Sequence, residues 1–383
     1  MGNFLSSQKN ITTADGIPLK SRSDSRAAIS DTTSEQSAQH AGLEPIPAPS
    51  ASTRAHNKLQ TEKALWGLKH VFETGLLKEL NLTKVSAPLI VRRGTGLNDT
   101  TSKLQPVNFV MADGGVGEIP RALSRWKRQQ LKVFGLEAGD EGILVYMNGI
   151  RPDERDLDDT HSHYVDQWDW ELPIHPEQRN LDTLKSNVRK IYSTLKNTAK
   201  YVGEEFGVFT PMPEEITFIH SSQLQREYPH LSGDDRETQA CLKYGAVFII
   251  GIGAPLADGR AHGSRSSDLD DWSSMTELGQ GLNGDFLVLW GGKALELSSM
   301  SIRVDAEAMT RQLRARGVEA ERKALPFVQQ VLNNDLPQTI GGGIGISRVA
   351  MFLLQKRHIA EVQSSCWPAE MVEAMEADGI EIL

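Results

Sequence analysis

The chain has 383 residues, 39% hydrophobic and 24% charged, with a formal net charge of -9. Such a length and apolar content suit one large globular domain or two modest ones, and the acidic balance argues against a protein that grips nucleic-acid phosphates. No apolar run reaches the roughly eighteen residues of a membrane helix and no secretory segment opens the chain, so a cytoplasmic protein acting on small charged molecules is expected. The two cysteines, Cys241 and Cys366, lack C-x-x-C spacing, which speaks against a thiolate metal site or a redox pair.

Residues 1–56 are rich in Ser, Ala, Thr and Pro, with Phe4 as the single aromatic, and read as a disordered tail before a folded domain over 57–383. The tail carries five basic and five acidic residues, so the net charge belongs to the domain. Its opening, MGNFLS, matches the M-G-x-x-x-[ST] pattern for myristoylation of Gly2. Membrane contact is expected only if Gly2 is acylated, and one acyl chain gives marginal, reversible binding.

Leu65, Leu68 and Phe72 recur at helical spacing and predict the first helix. The extended segment 80–91 follows, marked by Pro88 as an edge or interface strand. Strands are predicted over 143–150, 163–171, 215–220, 246–253, 285–290 and 294–304, and a scaffold helix over 181–204. Short connections such as Gly291-Gly292 predict an antiparallel sheet of hairpins with one polar face, hence an α+β domain.

The stretch HSHYVDQWDWE, 161–171, sets the chemistry. Side chains two apart on a strand share a face, so His163, Val165, Gln167, Asp169 and Glu171 fall on one side, and Tyr164, Asp166, Trp168 and Trp170 on the other. One face reads as aromatic packing and the other as a polar row able to hold an ammonium and a carboxyl group. The His-x-His pair lacks the further ligands zinc needs, so the pocket reading is preferred. Upstream lies GIRPDER, 149–155, and near the C-terminus TIGGGIGISR, 339–348. Arg151 and Arg348 are suited to bracket a triphosphate, while Gly341, Gly342, Gly343 and Gly345 let backbone approach a nucleotide.

The order APLI, R-P-D-E, V-D-Q-W-D and G-G-G-I-G-x-S-R resembles the three motifs of class II aminoacyl-tRNA synthetases. More narrowly, YVDQWDWE, GLNGD, LELSSM and PQTIGGGIG resemble the ammonia-dependent asparagine synthetases of the A type, from about residue 58 to the C-terminus. The resemblance implies a class II synthetase-like antiparallel sheet flanked by helices, a homodimer paired through the Pro88 segment, and ATP with Mg²⁺. It implies that β-aspartyl-AMP forms from L-aspartate and ATP and that ammonia then displaces AMP.

Carried onto this sequence, Arg151, Glu154 and Arg348 would hold the nucleotide with Ser162, Val165, Arg265, Asp270, Asp285, Gly343 and Gly345. Gln167, Asp169, Asp99, Lys127, Ser298, Ser299 and Arg303 would read aspartate, and Asp268 would complete the polar wall. Arg151, Arg348, Lys127 and Asp99 would be the catalytic groups, with Asp99 positioning or deprotonating ammonium, and Asp285 and Glu296 would hold the metal.

Val165 stands where such synthetases commonly place a phenylalanine against adenine, and Ala122 stands where a serine is usual. Two rivals have sequence-level objections. A true aspartyl- or asparaginyl-tRNA synthetase needs an anticodon-binding domain larger than the tail. A non-catalytic paralogue would be expected to lack one of Arg151, Arg348, Asp285 and Glu296, all of which are present.

Overall fold

The computed structural model describes residues 51–98, 106–155 and 157–383, all within one compact unit, Ala48–Leu383. Its centre is an eight-stranded sheet, whose strands we number in chain order: β1 (Leu82–Lys84), β2 (Gly142–Ile150), β3 (Tyr164–Pro173), β4 (Thr217–His220), β5 (Ala246–Ile250), β6 (Asn283–Trp290), β7 (Lys293–Ile302) and β8 (Thr339–Gly345). In space the order is β1-β2-β3-β8-β7-β6-β5-β4. The helices that frame the site are α1 (Ala51–Glu79), α2 (Ser124–Phe134), α3 (Leu181–Phe206), α4 (Gly233–Tyr244), α5 (Ala306–Ala315) and α6 (Ile346–Leu353). The first helix thus begins upstream of residue 57.

The six inner strands are antiparallel, as the hairpin reading expects, but β1 pairs parallel with β2 and β4 parallel with β5. The reason is the length of the connections. α2 lies between β1 and β2, and α4 between β4 and β5, and such crossovers allow neighbouring strands to run the same way. Between β6 and β7 the tight turn forms as expected: Gly291 and Gly292 have φ of 55° and 81°, a combination glycine adopts without strain.

One face of the sheet is covered by α1 and α3. Leu65, Leu68, Phe72 and Leu76 of α1, and Leu184, Val188, Ile191 and Leu195 of α3, are buried against Trp168 and Trp170 of β3. The Phe72 and Trp168 rings meet at a tilt of 33° with centroids 4.6 Å apart. The parity of 161–171 therefore holds for its inner residues: the tryptophans face the core, and Gln167, Asp169 and Glu171 occupy the other face.

The glycine run, which is not among the strands predicted from sequence, forms strand β8 (Thr339–Gly345), placed between β3 and β7, with α6 following directly. A Cβ on Gly341 would lie 2.1 Å from Glu171 Oε2, and one on Gly343 would lie 2.6 Å from Gln167 Oε1. These glycines leave room for the polar side chains of β3 to lie across the sheet. Gly341→Ala is therefore expected to cost about 1–3 kcal/mol through overpacking, read as a lower midpoint in urea unfolding at unchanged slope.

Candidate active site

Register carries polar groups from strand to strand on the uncovered face. Asp169 pairs with Val145 on β2 and Gly343 on β8, Gly343 pairs with Ser299 on β7, and Ser299 pairs with Asp285 on β6. Directly paired residues of an antiparallel sheet point the same way. A register shift between Phe286 and Leu287 then brings Glu296 opposite Leu287, on the same side as Asp285. Above this row lies a cavity of about 430 Å³, bordered by Gln167, Asp169, Asp270, Glu296, Ser299 and Arg303 at one part and by Arg151, Glu154, Ser162, Val165 and Arg348 at another.

Its floor is a buried ladder of alternating charge. Lys127 of α2 donates to Asp169 Oδ1 and, at 2.7 Å, to the Trp170 carbonyl, and stands 3.6 Å from Glu171. Arg303 donates to both oxygens of Glu171 at 3.0 Å and to Asp270 at 2.6 Å. Arg265 bonds Asp285 and, at 3.1 Å, the Ser299 hydroxyl. Burial alone would raise the Glu171 carboxyl, but the Arg303 and Lys127 charges outweigh it and hold the group below the usual carboxylate range. Asp169 keeps one atom in reserve: its Oδ2 is buried and has no hydrogen-bond partner among the described residues.

Several expected residues sit elsewhere than the sequence suggests. Lys127 is not among the residues that border the cavity; it is buried beside Asp169 with its ammonium turned to carboxylate and carbonyl oxygens. Arg265 and Asp285 also lie behind the cavity wall, bonded to each other. Ser298 borders the cavity, but it is in register with the core residues Ile344 and Phe286, and its hydroxyl donates to the Gly343 carbonyl at 2.9 Å. Asp268 is buried away from the cavity, and Asp99 lies outside the described residues.

At the other part of the cavity, the Arg151 backbone N–H donates to the His163 carbonyl at 2.7 Å, carrying the β2–β3 pairing past Ile150, and its guanidinium donates to the Arg121 carbonyl at 3.1 Å. Arg348, in the first turn of α6, donates to the Glu296 carbonyl at 3.0 Å. Both guanidiniums are thus braced by backbone carbonyls. The two histidines of the 161–171 stretch bond within this region: His161 bonds Asp158 at 2.9 Å and His163 bonds the Arg151 carbonyl at 3.0 Å.

Asp285 and Glu296 are the expected metal carboxylates. Burial first, and then the negative charge of Asp285, push the Glu296 carboxyl up to about 7, against the pull of Arg348 and Arg265. Asp285 is already paired with Arg265, so Glu296 is the less compensated of the two, and a divalent cation held there would bring its remaining oxygens from water or phosphate. Among the described residues no group of three or more His, Cys, Asp or Glu is placed to hold a metal alone.

The sheet order, the arginines on a strand end and a helix start, and the polar face between them define a class II aminoacyl-tRNA synthetase-like catalytic fold. The asparaginyl-tRNA synthetase of Pyrococcus horikoshii, solved with asparaginyl-adenylate, superposes with a TM-score of 0.62 at 15% identity, covering 85% of this chain and 77% of that one. That of Entamoeba histolytica, also with asparaginyl-adenylate, gives 0.59 at 14% identity over 82% and 69%. These two likenesses concern the fold. The family model for aspartate-ammonia ligase matches residues 59–379, and the chain belongs to that family of C–N ligases. Aspartate–ammonia ligases from two strains of Clostridium perfringens are each 48% identical, over 85% of this chain and 95% of theirs.

Sequence reasoning gave Glu171 a face but no task, and gave Ile359, Ser347 and Gln363 none, although all three border the cavity. The signal for Glu171 was its two-residue spacing from Asp169; the others sit in segments without a chemical motif. It also missed why Asp268 is buried. Burial would raise that carboxyl, but Arg125 of α2 and Arg322, at 2.6 and 2.7 Å, hold it down at about 2. The folded-state value lies below the usual 3.8, so this contribution is complete above pH ~4 and is lost as pH falls through about 2. Asp268→Asn is expected to remove about 2 kcal/mol from the pH-dependent part of stability over that window, measured as a flatter unfolding free energy against pH than in the parent.

Proposed function

We propose that this protein makes L-asparagine from L-aspartate, ATP and ammonia through a β-aspartyl-AMP intermediate, releasing pyrophosphate and AMP. Membership of the aspartate-ammonia ligase family gives the net reaction, and the observation that carries the assignment of the site is the free, buried oxygen of Asp169. A buried carboxylate oxygen without a donor is costly, and the α-ammonium of an amino acid supplies both hydrogen and charge. Gln167 and Arg303 beside it suit the carboxyl groups, and Ser299 completes this end. Lys127 and Glu171 act through Asp169 and Arg303.

With aspartate so held, its side-chain carboxylate oxygen attacks the α-phosphorus, and the bond to the β-phosphate breaks to release pyrophosphate. Arg151 and Arg348 face the charge that gathers on the phosphate oxygens, where fixed positive groups contribute most. Mg²⁺ entering with the triphosphate, held by Asp285 and Glu296, would supply further neutralisation there. Ammonia then attacks the acyl carbon, AMP leaves on the carboxyl oxygen, and Asp99 is the group assigned to take the ammonium proton. Val165, Ser162, Glu154, Gly343 and Gly345 are left for the nucleoside and phosphate contacts, together with Asp270 on the cavity wall and Arg265 behind it.

The same proposal covers the setting. Residues 57–383 form the catalytic domain after an N-terminal tail, the protein acts in the cytoplasm as a homodimer, and no nucleic acid is a partner. The exposed apolar side chains Leu89, Ile90, Phe109 and Val110 around the Pro88 segment support pairing of two copies. No described helix is long and apolar enough to cross a membrane, and contact with one requires acylation of Gly2, which lies outside the described residues.

Purified protein supplied with ATP, ammonium and aspartate labelled with ¹⁸O in its side-chain carboxyl is expected to form asparagine and AMP in equal amounts, with one label in each AMP. Label in inorganic phosphate with ADP formed would replace adenylation by phosphorylation. Binding of aspartate and ATP without product would favour a non-catalytic paralogue.

A further inference from the structure

Beside the nucleotide end of the cavity lies a polar cluster that this mechanism does not use. Asp166 of β3 accepts from the Ser347 backbone N–H at 3.2 Å and from its hydroxyl at 2.7 Å. Gln363 Nε2 donates to that hydroxyl oxygen at 3.0 Å and stands 3.5 Å from Asp166 Oδ1. Ser347 has one hydroxyl proton, which goes to Asp166, so toward Gln363 it can only accept. The amide orientation is thereby fixed, with the NH₂ on Ser347 and the oxygen turned away from it. That oxygen, Oε1, is buried and without a hydrogen-bond partner among the described residues, on a side chain that borders the cavity. It is an acceptor in want of a donor.

Distance along the strand indicates which part of a ligand reaches it. Asp169 and Val165 are four residues apart on β3, about 13 Å at the usual rise per residue. An aspartyl group held at Asp169, Gln167 and Arg303, with phosphates at Arg151 and Arg348, sends the base past Val165 toward Ile359 and Gln363, which border the same cavity. We infer that Gln363 Oε1 accepts a hydrogen bond from the exocyclic 6-amino group of the purine and selects ATP over 6-oxo purine triphosphates. In those nucleotides a carbonyl oxygen would face Oε1, and neither atom carries a proton. This rests on the ATP reading above and adds a specificity-determining residue to it.

The test compares ATP, purine riboside triphosphate, which lacks only the 6-amino group, inosine triphosphate and 2′-deoxy-ATP, in the parent enzyme and in Gln363→Leu. In the parent, kcat/KM is expected to fall about ten-fold or more from ATP to purine riboside triphosphate, and further for inosine triphosphate. In the variant, ATP is expected to drop to the level of purine riboside triphosphate while KM for aspartate is unchanged. Equal kcat/KM for these two nucleotides in the parent overturns the inference and needs no folded variant. Unchanged base selectivity in the variant overturns it too, as does a loss confined to 2′-deoxy-ATP, which would assign Oε1 to the ribose. Turnover with ATP but no base selectivity defeats this inference alone, whereas no turnover with any triphosphate defeats the ATP reading and this inference with it.

Discussion

Arg303 lies just past β7 with its guanidinium held by both oxygens of Glu171, each at 3.0 Å, and a third contact to Asp270 at 2.6 Å. Neither charge of the central pair reaches solvent, so each depends on the other: isolating one would leave an uncompensated buried ion, at a cost of several kcal/mol. The remainder of the cavity face is arranged around this pair. Gly341 is a glycine because Glu171 occupies the space above it, Thr339 adds a hydroxyl to the same carboxylate at 2.7 Å, and Lys127 approaches from the other side to hold Asp169.

A ladder of this kind fixes side-chain directions before any ligand arrives. Asp169 is held through Oδ1 by Lys127 and so offers only Oδ2; Asp166 and Ser347 fix Gln363 and so offer only its Oε1. Both free acceptors are buried. Preorganised, desolvated groups of this sort bind more selectively than mobile surface ones, since the analogue lacking the right donor leaves them unpaired. The apolar face of the same sheet supplies rigidity, with Trp168 and Trp170 packed on α1 and α3 directly beneath the polar row.

Much of this was legible because strand parity is a local rule. Gln167 and Asp169 on one side and the two tryptophans on the other follow from their spacing, and the motif resemblance brought Arg151 and Arg348, far apart in the chain, to one site. What was not legible depends on packing between distant segments. The glycine run shows no strand pattern of its own, and its place in the sheet is explained only when the side chains of β3 are laid across it. That Ser124 of α2 borders the cavity while Lys127 is buried against Asp169 depends on how α2 packs on the sheet. The parallel outer strands depend on crossover connections, and Gln363 belongs to no motif and reaches the site only because its segment folds back beside Ser347.

The central claim is that the buried ladder exists to present Asp169 to the ammonium of aspartate. Calorimetric titration of Asp169→Asn with aspartate tests it most directly, since asparagine keeps the shape and an oxygen for Lys127 but removes the charge. The account predicts aspartate affinity reduced about 10- to 100-fold, the range for losing a hydrogen bond to a charged group, with ATP affinity unchanged. Unaltered aspartate affinity in a folded variant would contradict it.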